Sequence, residues 1–259
     1  MRRLRVIAFL GILILLGSTV SCLSPGNPDK QNADVTVSEY TSTDLVAYER
    51  NLIVDDLSYT AAKLDSMGYV NISDLDSSIY INLVYASPDN FMGEVLYEDL
   101  KDAYFLPEVA DKIVKAQQNL KEIHLSYNLV IYDAARPFSI QRKMWNTAVK
   151  MGKQYYVANP ANGGGLHNYG AAVDLSILDD NNIPLPMGTD FDHFGYESNI
   201  NRETALVKEG IITEKHLNNR LLLRRIMIKS GFSPVTSEWW HFNHCSRETA
   251  KQKYALIDW

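Results

Sequence analysis

The sequence predicts an α+β fold: a single domain with a central antiparallel sheet flanked by helices. Three observations predict it. Short runs rich in β-branched and aromatic residues alternate with stretches of helical apolar period. Their order shows no regular strand–helix–strand rhythm, which argues against a doubly wound parallel sheet. The 259 residues contain no internal repeat.

Each element has its own warrant. A short helix is expected around Leu57–Met67. Ile79–Ala86 (Ile-Tyr-Ile-Asn-Leu-Val-Tyr-Ala) reads as a strand. Pro107–Ile123 reads as an amphipathic helix opened by proline, with Val109, Ile113, Ala116 and Leu120 on its apolar face. Leu129–Asp133 is a short strand, and Ser139–Lys150 a helix with Ser139 as its N-cap. Ala171–Leu178 is a further strand. Residues 179–200 form a long loop with two prolines. Asn218–Ser230 is a Leu-rich helix ended by Gly231. Glu238–Asn243 is a strand, and Lys253–Trp259 is expected to end the chain as another.

The N-terminus reads as an address. Arg2, Arg3 and Arg5 precede an apolar run from Val6 to Gly17, then Ser18-Thr-Val-Ser-Cys22. The run is too short to span a membrane. Residues 1–21 are therefore read as a lipoprotein signal peptide, with Cys22 as the lipidation site. Residues 22–43, rich in Pro, Ser, Asn and Thr, read as a flexible tether, and 44–259 as the folded domain. The expected place is outside the inner membrane, facing the periplasm and held by a lipid anchor. A protein cut nearby and released in soluble form is the alternative.

Charge and cysteines agree with export. The formal net charge is −6, and losing the signal removes three arginines and no acids. Such an acidic chain has no electrostatic footprint for nucleic acid. With Cys22 acylated, Cys245 is the one remaining thiol, so no intramolecular disulfide is available. Stability must then come from the core.

Two segments carry the chemistry. Gly163-Gly-Gly-Leu-His-Asn-Tyr-Gly-Ala-Ala-Val-Asp-Leu-Ser176 offers His167 and, seven residues on, Asp174. Ser237-Glu-Trp-Trp-His-Phe-Asn-His244 offers Glu238 and, three residues on, His241. Two imidazoles and a carboxylate are a ligand set for catalytic zinc, with a fourth position open. Glu238, set among Trp239, Trp240 and Phe242, is then the candidate general base. The plainer alternatives are satisfied core histidines, a capping Asp174 and a surface Glu238. His244 and Cys245 are the rival ligands. Arg136, in Asp133-Ala-Ala-Arg-Pro, is either a clamp for a developing oxyanion or one half of an ion pair with Asp133.

The pattern His-x-x-Gly-x-Ala-x-Asp at 167–174, followed by Glu-Trp-Trp-His at 238–241, resembles the zinc D-alanyl-D-alanine dipeptidase family of vancomycin-resistance type. Three further segments match in order: Leu83–Gly93 (Leu-Val-Tyr-Ala-Ser-Pro-Asp-Asn-Phe-Met-Gly), Ile131–Pro137 (Ile-Tyr-Asp-Ala-Ala-Arg-Pro) and Met187–Asp192 (Met-Gly-Thr-Asp-Phe-Asp). The resemblance implies the fold shared by D,D-carboxypeptidases and hedgehog signalling domains. It also implies one zinc ion per chain on His167, Asp174 and His241, with Glu238 and Arg136 catalytic and a small wall peptide as substrate. By the same resemblance Tyr85 and Asp192 face the substrate's amino terminus, with Asp190 as a neighbour able to exchange roles. The chain departs from the family at Gly165, where the family carries a serine that reads the substrate carboxylate. The amides of Gly164 and Gly165 are a possible substitute for that hydroxyl. The implied activity is hydrolysis of D-Ala-D-Ala or a related wall dipeptide. The alternatives are a D,D-carboxypeptidase acting on longer stem peptides and a zinc-stabilised lipoprotein that binds wall peptide without cutting it.

Overall fold

Helix α1 (Tyr59–Ser66) opens the described part of a computed structural model that covers residues 58–259. The readings of residues 1–21 as a signal, 22–43 as a tether and Cys22 as a lipid site lie outside those residues. The Ser58 hydroxyl caps α1 by accepting from the Ala61 amide at 3.1 Å. Strand β1 (Val70–Asn71), helix α2 (Ile72–Leu75) and strand β2 (Tyr80–Ile81) follow, and β3 (Tyr104–Phe105) returns antiparallel to β1. Helix α3 (Pro107–Lys121) then packs on β4 (Asn128–Asp133). After helix α4 (Phe138–Lys150) come strand β5 (Ala172–Leu178) and helices α5 (Glu203–Lys208) and α6 (Glu214–Lys229). Strands β6 (Ser233–Val235) and β7 (Glu238–Asn243) and helix α7 (Arg247–Lys253) close the chain.

The main sheet has five strands in the order β2-β4-β5-β7-β6. β4 and β5 are buried along their whole lengths, which is why apolar residues dominate both. On one side α3 lays Val109, Ile113, Ala116 and Leu120 into the core, and α6 packs against it with Leu223, Ile226 and Met227. Among the described residues no helix is long and apolar enough to cross a membrane. The fold is the expected α+β single domain, with one correction. The sheet is not wholly antiparallel, because β2 joins β4 in parallel at the edge.

Three other expectations change for physical reasons. The predicted strand at 79–86 pairs only through Tyr80–Ile81; Val84–Ala86 then coils into a 3₁₀ turn that buries Tyr85. Ser139 is not an N-cap, since α4 begins at Phe138. Its first amides are satisfied instead by the C-terminal segment: Phe138 donates to the Ile257 carbonyl at 2.8 Å and Ser139 to Trp259 at 2.9 Å. The predicted final strand is therefore the last residue of helix α7 and then an irregular tail that caps α4 rather than joining the sheet. α6 starts four residues earlier than expected, because Thr213 and His216 form a capping pair.

Candidate active site

Register across the middle three strands builds the floor of the site. Asp133 of β4 stands opposite Asp174 of β5, and Asp174 stands opposite His241 of β7. Opposed residues point to the same face of a sheet, so one row carries three polar groups. A bulge makes this possible. The β4–β5 ladder slips by one residue between Ile131 and Asp133, and without that slip Asp133 would oppose Val173 in the core. β7 is irregular as well. It takes four steps, from Glu238 to Phe242, while β6 takes one, from Val235 to Pro234. Strict alternation would put Glu238 and His241 on opposite faces; this detour leaves Glu238 Oε2 3.8 Å from His241 Nδ1.

His167 comes from a 3₁₀ turn, Leu166–Tyr169, ended by Gly170 in left-handed backbone (φ 64°) with a Tyr69 ring packed against it. Its Nδ1 lies 2.9 Å from the Ala134 carbonyl, which can only accept, so the proton sits on Nδ1 and the Nε2 lone pair faces inward. His241 is turned in the complementary sense: Nε2 donates to Asn243 Oδ1 at 2.7 Å, so Nδ1 is turned toward Asp174. These two nitrogens lie 3.3 Å apart. Asp174 Oδ2 is 3.3 Å from His167 Nε2, and Oδ1 is 2.8 Å from His241 Nδ1. Buried Oδ1 nevertheless accepts no hydrogen bond, since the imidazole is close to it but not aimed at it. Lone pairs that meet at a common point rather than on each other suit a cation. Ligands at zinc's bond lengths would stand about 3.3–3.4 Å apart at tetrahedral corners. Donor set and spacing therefore fit zinc, and among the described residues His167, Asp174 and His241 form the one such cluster.

The electrostatics follow from burial and proximity. Burial opposes ionisation of Asp174, but the two imidazoles outweigh it and hold the carboxyl below its usual range. Burial likewise opposes charge on His241, yet Asp174 raises it to about 9. Glu238 is pushed up by desolvation, with His241 pulling it back only in part.

Arg136 sits over the Tyr85 ring, 5.3 Å from guanidinium carbon to ring centre. Both its Nε (2.9 Å) and an Nη2 hydrogen reach Asp133 Oδ2, and Nη1 donates to Gln141 Oε1 at 2.9 Å. The ion pair weighed from sequence therefore exists, and Tyr97 donates to the other Asp133 oxygen at 2.5 Å. Three of the five guanidinium hydrogens are engaged, which leaves two for the cleft. Burial acts against the charge on Arg136, but Asp133 more than compensates and keeps it fully protonated.

The far wall is the loop that carries Asp192. Tyr85 donates to Asp192 Oδ2 at 2.6 Å, joining two residues 107 positions apart. Asp192 holds φ at 58°, a left-handed conformation that costs about 1 kcal/mol or more outside glycine. Buried Arg220 of α6 holds it there, donating from Nε to the Met187 carbonyl (2.7 Å) and from Nη1 to Glu197 (3.0 Å). Trp239 Nε1 donates to Thr189 in the same loop at 2.8 Å. Desolvation raises the Asp192 carboxyl well above its ordinary range, and the Tyr85 hydroxyl partly offsets this. Arg220→Met should loosen this loop and lower stability by about 1.5–3 kcal/mol, seen as a lower denaturant midpoint.

Tyr85, Arg136, Gly165, His167, Asp174, Asp192, Glu238 and His241 all line one cleft of about 300 Å³. The structure thus gathers every site residue read from the folded domain. The rival metal ligands separate from it: His244 Nδ1 lies 3.0 Å from Lys112 Nζ, and Cys245 lines the cleft outside the metal-type cluster. The glycine-loop expectation is corrected. The Gly165 amide donates to Asn168 Oδ1 at 2.9 Å and the Gly164 amide to the Asn159 carbonyl at 3.4 Å, so both are spent inside the loop. A Cβ on Gly165 would meet Ala158 Cβ at 3.1 Å.

Comparison with known proteins decides the family. The family model described as D-ala-D-ala dipeptidase matches residues 65–257. This chain belongs to the D-Ala-D-Ala dipeptidase family. It is 31% identical over 179 residues to the D-alanyl-D-alanine dipeptidase of Escherichia coli K12, covering 69% of this chain and 85% of that one. The D-alanyl-D-alanine dipeptidase of Enterococcus faecium is 25% identical over 200 residues (68% and 91%), and that of Synechocystis 26% over 164 (52% and 66%).

Within this dipeptidase-family site, four contributors escaped the sequence. Gln141 bonds Arg136 and Asn243 bonds His241 directly, while Tyr97 acts through Asp133 and Arg220 through carbonyls of the loop that carries Asp192. Only Asn243 had a usable signal, since it lies two residues past His241 and so shares its face of β7. The other three come from separate elements and meet the site through tertiary packing alone.

Proposed function

We propose that the chain is a zinc-dependent dipeptidase hydrolysing D-Ala-D-Ala or a closely related cell-wall dipeptide. The observation that carries this is the convergence of His167 Nε2, Asp174 and His241 Nδ1 beside Glu238 in a small cleft. His167, Asp174 and His241 would hold the ion, which when bound supplies Lewis acidity for attack on a peptide carbonyl. Glu238, its carboxyl raised by burial, takes the proton of the attacking water and returns it to the leaving amine. Arg136, fixed by Asp133 and Gln141, turns its two remaining N–H groups to the oxyanion. Asp192 pairs with the substrate ammonium, and Tyr85 orients that carboxylate from behind. A volume of about 300 Å³ lies at the small end of ligand pockets and suits a dipeptide.

A second reading has one observation in its favour. A cleft of about 630 Å³ meets the first at Phe91, Asp192 and His193, where a longer peptide's amino-terminal extension would run. Acetylation of the substrate amine separates the two. With a dipeptidase, the zinc-loaded protein should cleave D-Ala-D-Ala at least about 30-fold better in kcat/KM than N-acetyl-D-Ala-D-Ala, because a desolvated Asp192 loses its partner. Equal rates on both would leave a carboxypeptidase acting on stem peptides.

A further inference from the structure

We infer that Arg247 is the residue that reads the substrate's free carboxylate, a specificity determinant that rests on the dipeptidase reading above. Two guanidinium side chains, Arg136 and Arg247, line the cleft. Arg136 is committed on three of its hydrogens to Asp133 and Gln141. Arg247 is partly buried and, among the described residues, makes no hydrogen bond and no ion pair.

Its position has no evident structural reason. It is the first residue of α7, where a cation opposes the helix dipole, while Lys251 and Lys253 sit favourably in the last turn. A charged group placed against the dipole, with only the solvent-exposed Glu248 beside it and no hydrogen bond or ion pair among the described residues, and lining a substrate cleft, suits an anion that arrives with the ligand.

Arg247 and the acidic residue line the same cleft from different segments, Arg247 at the start of α7 and Asp192 in the loop after β5. Cys245, two residues before Arg247, packs against the apolar cluster that includes Leu166 of the glycine loop, whereas Asp192 is held by the Tyr85 hydroxyl. An extended dipeptide separates its charged ends by about 7 Å. A cleft of about 300 Å³ is of that scale, so a zwitterion can meet Asp192 at one end and Arg247 at the other. The Gly164 and Gly165 amides do not compete for the carboxylate, since both are already bonded within the loop.

The test compares D-Ala-D-Ala with D-Ala-D-alaninamide, which lacks the negative charge, in zinc-loaded wild type, Arg247→Ala and Arg247→Lys. Arg247 lies partly exposed at a helix end, and Arg247→Lys keeps its charge. Arg247→Ala should raise KM for D-Ala-D-Ala by about 10- to 100-fold with little change in kcat, and leave the amide within about threefold. Arg247→Lys should recover part of the loss. A KM unchanged on the free acid, or an equal loss on acid and amide, overturns the inference while leaving the dipeptidase reading in place. A wild-type enzyme that cleaves neither compound defeats the dipeptidase reading and this inference with it.

Discussion

Dialysis against a strong chelator should abolish D-Ala-D-Ala hydrolysis, and stoichiometric zinc should restore it. The reason lies in the lone pairs. His167 and His241 each donate one ring N–H outward, to the Ala134 carbonyl and to Asn243, and so turn the other nitrogen to the same point as Asp174, where a bound cation would take the place of a proton. Full activity in metal-free protein would remove the proposed mechanism. Elemental analysis should give one zinc per chain, lost in His241→Ala. Asn243→Ala should keep the site but weaken zinc binding by about 10- to 100-fold, since the His241 ring loses the acceptor that orients it. A competition titration with a chromophoric chelator measures that shift, independently of turnover.

Glu238→Gln should retain zinc and lose about 10²- to 10⁴-fold in kcat, the range for removing a general acid–base. Glutamine keeps the size and shape of the side chain beside His241, so packing is preserved while the proton acceptor is gone. The pH profile adds a signed check. Burial raises the Glu238 carboxyl, and the base works only when ionised. Activity should therefore rise with pH through a midpoint above the ordinary glutamate value of about 4.3, and that limb should be absent from the residual activity of Glu238→Gln. A variant that keeps both zinc and turnover would make Glu238 structural and favour a wall-peptide binder.

Much of this site was legible in the linear sequence because its residues lie in short segments with strong local chemistry. His167 and Asp174 share one fourteen-residue stretch, and Glu238 and His241 share one strand. The type and order of β4, α3, β5 and β7 were equally plain, since fully buried strands and a proline-opened amphipathic helix carry their burial in their own periodicity. The C-terminal tail was misread for the opposite reason. It pairs with no strand; its carbonyls accept from the first amides of α4, more than a hundred residues away.

What the sequence alone determined is thus the inventory: two imidazoles, the carboxylates, a guanidinium and the elements that bear them. Tertiary structure alone decided how they are aimed. The bulge beside Asp133 and the detour in β7 turn side chains from one sheet face to the other, and a single-residue slip in register is enough to do that. Likewise only the folded chain shows that Arg136 is partly committed to Asp133, that the Gly164 and Gly165 amides are occupied and that Arg247 has no hydrogen bond or ion pair among the described residues. Each of those facts depends on which distant group fills a hydrogen-bonding valence, and no local pattern of residues encodes that.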